Sequence, residues 1–201
     1  MYDALKRTFD VVAALIGLIV LGPVFIVIAM LVKLSSHGPA LYQGVRTGRN
    51  GRPFKMLKFR TMIVGADKAG GTSTGQEDPR VTSIGWVLRR YKLDELPQLI
   101  NVLWGEMSIV GPRPEVEEYT RLYDEREQII LSVRPGLTDY ASIHFINLAE
   151  TLGSKDVDRV YAEEIRPIKN QLRVKYVQER SFWVDLKIIL KTLRRILARR
   201  S

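Results

Sequence analysis

The 201-residue chain has no cysteine and only two histidines, His37 and His144. The missing thiols exclude disulfides, cysteine nucleophiles and thiolate metal sites, and they fit a reducing compartment without requiring one. Two isolated histidines do not suggest a zinc site. The P-loop and the G-x-G-x-x-G fingerprint are also missing, since Gly44, Gly48 and Gly51 have the wrong spacing. Any nucleotide must therefore be held by other means. No repeat or low-complexity tract stands out. No A-x-A site follows the N-terminal apolar run, which is also longer than the hydrophobic region of a cleaved signal.

What is present is basic: 31 Lys and Arg stand against 22 Asp and Glu, a net charge of +9. That balance suits phosphate-bearing partners, whether nucleotides, anionic lipid head groups or nucleic acid, and does not choose among them. The length fits one domain with a core of its own.

Val11 to Val32 carry no charge. As a helix this run would reach about 33 Å, enough to cross a bilayer core of roughly 30 Å. Gly22-Pro23 sits at its middle. Pro23 lacks an N–H and its ring crowds the carbonyl of Ile19, which predicts a kink or break. Lys6 and Arg7 precede the run and Lys33, Arg46 and Arg49 follow it, so the positive-inside bias puts both flanks on the cytoplasmic side. This favours a re-entrant segment, with a kinked span as the alternative. At the other end Leu186, Ile189, Leu190, Leu193, Ile196 and Leu197 recur at helical spacing. They lie opposite Lys187, Lys191, Arg194, Arg195, Arg199 and Arg200. Near Phe182-Trp183 this pattern predicts an interfacial amphipathic helix, the alternative being a helix packed on the core.

Between these ends, Ala40 to Val45 and Phe54 to Met62 read as the arms of a small β-hairpin around a turn at residues 47–53. The second arm carries Lys55, Lys58 and Arg60. Gly70 to Pro79 reads as a mobile surface loop. Ser83 to Tyr91 reads as a helix that delivers Arg89 and Arg90 ahead of Leu93-Asp94-Glu95-Leu96-Pro97-Gln98-Leu99. Asp94 can cap a helix from Glu95 through Trp104, and a carboxylate there sits where a phosphate also binds. Prolines on both sides of Arg113 present it on a stiff loop at low entropic cost. Arg134-Pro135-Gly136 makes another rigid turn with a cation. Residues 156–165 and 169–178 read as helices divided by Pro167. The expected fold is α+β and mainly helical: an N-terminal membrane helix (1–36), a central region with the hairpin (37–180) and a basic amphipathic helix (181–201).

Five blocks carry a resemblance: FKMLKFRTM (54–62), LDELPQLINVL (93–103), MSIVGPRP (107–114), RPGLT (134–138) and FWVDLKIILKTL (182–193). In this order and register the chain resembles the bacterial sugar transferase family, the monotopic phosphoglycosyl transferases of polyprenol-linked glycan assembly, and its short length resembles the members made of the catalytic domain alone. The resemblance implies a re-entrant N-terminal helix and an active site on the cytoplasmic face of the bacterial inner membrane. It implies transfer of a sugar-1-phosphate from a UDP-sugar to a polyprenol phosphate, with Mg²⁺ required and UMP released, as the first committed step of glycoconjugate assembly. In that reading Asp94 is the nucleophile and binds Mg²⁺, and Glu95 deprotonates or orients the lipid phosphate. Arg89 and Arg113 match family positions that engage phosphate, with Lys58, Arg60 and Arg134 either as further phosphate or substrate ligands or as surface or head-group cations. Membrane phospholipids are implied partners, downstream glycosyltransferases are admitted as further ones, and no nucleic acid is expected. The chain departs from the family in having Gly22-Pro23 where Ser-Pro is common, and Asp139-Tyr140-Ala141-Ser142-Ile143 where Gly-x-Ala-Gln-Val is common. A non-enzymatic anchor that binds anionic lipid would also explain the charge, yet it leaves Asp94-Glu95 among arginines unexplained.

Overall fold

A computed structural model describes residues 2–66, 78–146, 148 and 157–198. Its longest element is α1 (Tyr2–Ser35), 34 residues with Pro23 inside and about 51 Å long at 1.5 Å per residue. The helix continues through Gly22-Pro23, so the pair does not break it. Packing on both sides of Pro23 accounts for this: Leu18 and Leu21 sit in one apolar cluster, Phe25 and Ile28 in another. The chain therefore stays helical across Pro23 despite the hydrogen bond lost there. Asp10, Ala14, Leu18, Leu21, Phe25, Ile28 and Val32, spaced by three or four, face the rest of the protein. Ile16, Ile19, Val20, Ile26, Val27 and Met30 form the other side, each more than half exposed.

Both ends of α1 are bonded to the same body. At the N-terminal end Tyr2 and Lys6 donate to Asp185 Oδ2 at 2.9 and 2.7 Å, and Asp10 Oδ1 accepts the Ile109 N–H at 2.9 Å. At the C-terminal end Arg60 donates to the carbonyls of Ser36 at 2.6 Å and Val32 at 3.3 Å.

The hairpin forms as β1 (Leu41–Thr47) antiparallel to β2 (Pro53–Phe59), with Gly44 opposite Met56. Helix α2 (Ser83–Arg90) begins where expected because Thr82 Oγ1 accepts the Gly85 N–H at 3.0 Å. Helix α3 (Gln98–Trp104) stops at Gly105, whose φ of 84° suits glycine. Buried Asn101 ties α3 to β2: its Oδ1 accepts the Leu57 N–H at 3.0 Å and its Nδ2 donates to the Lys55 carbonyl at 2.8 Å.

A second, parallel pair joins β3 (Ser108–Val110) to β4 (Gly136–Thr138), and nothing in the sequence pattern announced it. The strands are three residues each, too short to show alternation. They meet because a Cβ on Gly136 would lie 2.1 Å from the Gly111 nitrogen, a distance only glycine leaves open. This pair brings MSIVGPRP and RPGLT side by side.

Helices α4 (Glu117–Thr120), α5 (Tyr140–His144), α6 (Val157–Val160), α7 (Arg166–Glu179) and α8 (Phe182–Ala198) complete the described chain. Pro167 does not divide two helices as expected. It enters the first turn of α7, where proline is tolerated, and a π-helical turn, Tyr161–Ile165, leads into it from α6. Helix α8 has two functional faces. Val184, Ile188 and Ile189 pack on Val110, Val133, Tyr176 and Val177, while Trp183, Leu190 and Leu193 are exposed beside Lys187, Lys191 and Arg194. The expected mobile loop lies outside the described residues except for Asp78 and Pro79.

Candidate active site

Asp94 does not cap α3. It lies in a 3₁₀ turn, Leu93–Glu95, entered through Lys92 in the left-handed conformation (φ 57°), and α3 starts only after Pro97. A non-glycine residue in that conformation costs roughly 1 kcal/mol. Here it turns both carboxylates toward β2, where Lys58 Nζ lies 3.3 Å from Glu95 Oε1 and 4.0 Å from Asp94 Oδ2.

The two acids have different surroundings. Glu95 is gripped by the Arg113 fork, Nη1 to Oε2 at 2.8 Å and Nη2 to Oε1 at 2.5 Å. Asp94 is 5% exposed, and its Oδ1 is buried without a hydrogen-bond partner among the described residues. Burial, with the Glu95 charge adding to it, pushes the Asp94 carboxyl up, against the opposing pull of Lys58, Lys92 and Arg89. Burial also pushes Glu95 up, but Arg113, Lys58 and Lys92 outweigh it and hold the carboxyl well below its usual range. Two adjacent residues thus have opposite proton affinities because only one has a guanidinium fork.

Arg113 is held along its whole length. Its N–H donates to Asp139 Oδ2 at 3.2 Å and its Nη1 to the Leu137 carbonyl at 2.9 Å, both supplied by the strand that β3 pairs with or the residue after it. One residue past Pro114, Glu115 accepts from buried Arg173 and from Tyr161, each at 2.6 Å. The proline-flanked loop is therefore fixed on both sides of its arginine. Arg89 donates through Nε to Thr61 Oγ1 at 2.8 Å, and burial lowers its pKa against the pull of Asp94.

Of the residues singled out from sequence, Asp94, Glu95, Lys58, Arg89 and Arg113 come together. Arg60 and Arg134 do not join them. Arg60 is buried, and its terminal nitrogens are spent on the carbonyls of Val32, Ser36 and His37 at the end of α1. Free carbonyls at a helix C-terminus call for such a cation. Arg60→Met is expected to lower stability by about 2–4 kcal/mol through loss of these charged hydrogen bonds. Denaturant titration reads this. Arg134 donates to the Gly105 carbonyl at 2.8 Å and lines a separate cavity. Sequence reasoning missed Lys92, Thr61 and Asp139. Asp139 had a signal, since an Asp three residues before Ser142 is an N-cap pattern, and its Oδ1 does accept the Ser142 N–H.

Such an arrangement can hold a diphosphate among Lys58, Arg89, Lys92 and Arg113, with a desolvated carboxylate within the same cluster. Residues 1–199 match the family model described as bacterial sugar transferase. The chain is 42% identical over 203 residues to the exopolysaccharide production protein ExoY of Sinorhizobium fredii, covering 94% of this chain and 83% of that protein. It is 40% identical over 193 residues to the UDP-glucose:undecaprenyl-phosphate glucose-1-phosphate transferase of Escherichia coli, covering 94% of this chain and 39% of that longer protein. The protein of the same description from Caulobacter vibrioides is 37% identical over 194 residues, covering 95% and 69%.

Proposed function

Since the chain belongs to the bacterial sugar transferase family, we propose that it moves a sugar-1-phosphate from a UDP-sugar to a polyprenol phosphate at a membrane surface. The observation that carries the chemistry is Asp94: buried, with an unpartnered oxygen, inside a ring of cations. A carboxylate desolvated among fixed positive charges is a nucleophile in its ionised form, the form that Lys58, Lys92 and Arg89 favour against burial. Asp94 attacks the sugar-bearing phosphorus, the bond from that phosphorus to the bridging oxygen breaks, and UMP leaves with the bond's electrons. An oxygen of the polyprenol phosphate then attacks the same phosphorus and expels the Asp94 carboxylate, leaving a polyprenol-diphosphate sugar.

Glu95 suits the second of its two expected roles. A carboxylate held far below its ordinary range is a weak base, so it positions Arg113 and Lys58 until phosphate oxygens compete for them. Arg89, Lys92 and Arg113 stabilise the charge that spreads over the transferring phosphoryl group. Mg²⁺ fits the residues present, because the unpartnered Asp94 Oδ1 is a hard oxygen and Mg²⁺ takes one or two carboxylates plus substrate oxygens. When bound it would neutralise diphosphate charge and strengthen UMP as a leaving group.

The membrane reading rests on α1. One face of it is apolar and exposed along its length, while both ends bond to the catalytic body. A simple span would carry one end across the bilayer, away from that body. The contacts therefore support a monotopic helix embedded from one side, with the exposed stripe of α8 beside it, and the basic flanks Lys6, Arg7, Lys33, Arg46 and Arg49 favour the cytoplasmic face of the inner membrane.

Glu95→Gln is expected to lower kcat about 10²-fold through misplacement of Arg113 and Lys58 and to move the acid limb of the pH profile to lower pH, because removing the Glu95 charge relieves the push on Asp94. Glu95, with its depressed pKa, contributes stability above the ordinary carboxylate range that is lost as pH falls through the folded value. The variant should therefore melt lower than wild type at pH 7, a difference that shrinks in strong acid. The reaction itself is tested by incubating the protein with Mg²⁺, a polyprenol phosphate and a panel of UDP-sugars. One or more donors should yield UMP and a lipid-linked diphosphosugar in equal amounts. Lipid binding without either product would favour an anchor.

A further inference from the structure

Arg134, expected at the catalytic centre, instead shares a second cavity with Arg7 and Arg49, where the start of α1 meets α7 and α8. We propose that this cavity is a binding site for a phosphate group, carried by a lipid headgroup or free in solution.

The charge around the cavity is unbalanced. Two other cations on its lining are already neutralised, Lys6 by Asp185 at 2.7 Å and Arg180 by Asp3 at 3.1 Å. Arg7, Arg49 and Arg134 have no carboxylate within ion-pair distance among the described residues, and Asp10, the remaining acid on the lining, gives one oxygen to the Ile109 N–H. Burial, then the charges of Arg7 and Arg49, push the Arg134 guanidinium below its ordinary value, and Asp10 and Asp3 offset this only in part. Like charges gathered in one partly buried place are costly unless an anion joins them.

The three side chains are also already fixed. Arg7 donates to the carbonyls of Val102 and Leu103 at 2.6 and 2.9 Å, Arg134 Nε to Gly105 at 2.8 Å, and Arg49 Nε to Ser132 at 3.0 Å. Arg7 and Arg134 cap the last turn of α3 and Arg49 the end of the 3₁₀ helix Glu127–Ser132, so two separate carbonyl ends bring the three guanidiniums to one cavity. Arg49 and Arg134 each spend only Nε, so their Nη pairs have no acceptor among the described residues. Planar forks held in place and short of acceptors match the oxygens of a phosphate.

A lipid can reach the site. Phe9 of α1 packs edge-on against Phe182 at 6.3 Å, Trp183 is 68% exposed and Leu5 52% exposed. The apolar surfaces of α1 and α8 therefore meet at the cavity's flank, and aromatic residues of this kind belong at a headgroup boundary.

The test uses the full-length protein in maltoside micelles stripped of phospholipid, with thermal unfolding followed at constant ionic strength. One arm titrates inorganic phosphate against chloride, the other dihexanoyl phosphatidic acid against dihexanoylglycerol. Saturable stabilisation, about 3–6 °C at saturation, is expected from at least one phosphate source. Lipid alone acting identifies a headgroup site; both acting identifies a general phosphate site. Arg49→Gln should lower the shift by at least half, the remainder arising from the cations around Asp94, and Arg49→Lys, which keeps the charge without the fork, should lower it less. Arg49 is exposed and outside the Asp94 cluster, so both variants should fold and turn over donor as wild type does. No shift from either source, or a shift of undiminished size in Arg49→Gln, overturns the proposal.

Discussion

An Asp94→Asn protein should fold, associate with membranes and turn over at least about 10⁴-fold more slowly than wild type, the scale set by removal of a nucleophile from a preorganised site. The loss should fall on kcat, with donor affinity largely retained, because Lys58, Arg89, Lys92 and Arg113 still face the diphosphate. Stability should move the other way. Folding raises the Asp94 pKa above its unfolded value, so the ionised carboxylate is a burden on the folded state at neutral pH, and a neutral isostere removes it. Thermal unfolding at pH 7 should therefore show a melting temperature equal to or above that of wild type. Loss of activity together with loss of fold would mean that Asp94 holds the structure rather than performs the chemistry.

Arg113→Lys should be nearly as damaging as Arg113→Met, each lowering kcat by about 10²–10³-fold. Lysine preserves the charge but cannot make two parallel bonds to Glu95 and a third to the Leu137 carbonyl. The two variants should differ in stability. Met leaves Glu95 buried with Lys58 at 3.3 Å and Lys92 as the cations acting on it, whereas Lys can still pair with it. Steady-state kinetics and unfolding of both proteins separate the geometric contribution of Arg113 from its electrostatic one. A lysine variant with near wild-type kcat would show that charge alone suffices.

Helices and hairpin were legible where the signal was local. The helical patterns at 83–91 and 95–104, the turn at residues 47–53 and the apolar run of α1 are all short-range, and the elements they predict formed within a few residues. The parallel contact of β3 and β4 was not legible, because it depends on two glycines 25 positions apart, Gly111 and Gly136, whose backbones touch. That contact sets Arg113 against Leu137 and Asp139. The proline pair around Arg113 indicated stiffness but not direction. Pro23 read as a kink or break and Pro167 as a divider between helices; α1 stays helical across the first, and the second enters the first turn of α7 behind a π-helical turn. Arg60 and Arg134 illustrate the limit for charges. A cation in sequence looks alike whether it meets substrate or helix carbonyls, and only the position of the C-terminal ends of α1 and α3 shows which. The unequal proton affinities of Asp94 and Glu95 were hidden for the same reason, since they follow from which acid the Arg113 fork reaches.

The most direct test of a covalent route is intact-mass spectrometry of the protein incubated with Mg²⁺ and a panel of UDP-sugars, without polyprenol phosphate. A phosphosugar adduct from at least one donor, mapped to Asp94 and discharged when polyprenol phosphate is added, is the expected result. UMP release that occurs only when polyprenol phosphate is present, with no adduct from any donor, would contradict it and point to direct transfer between donor and acceptor.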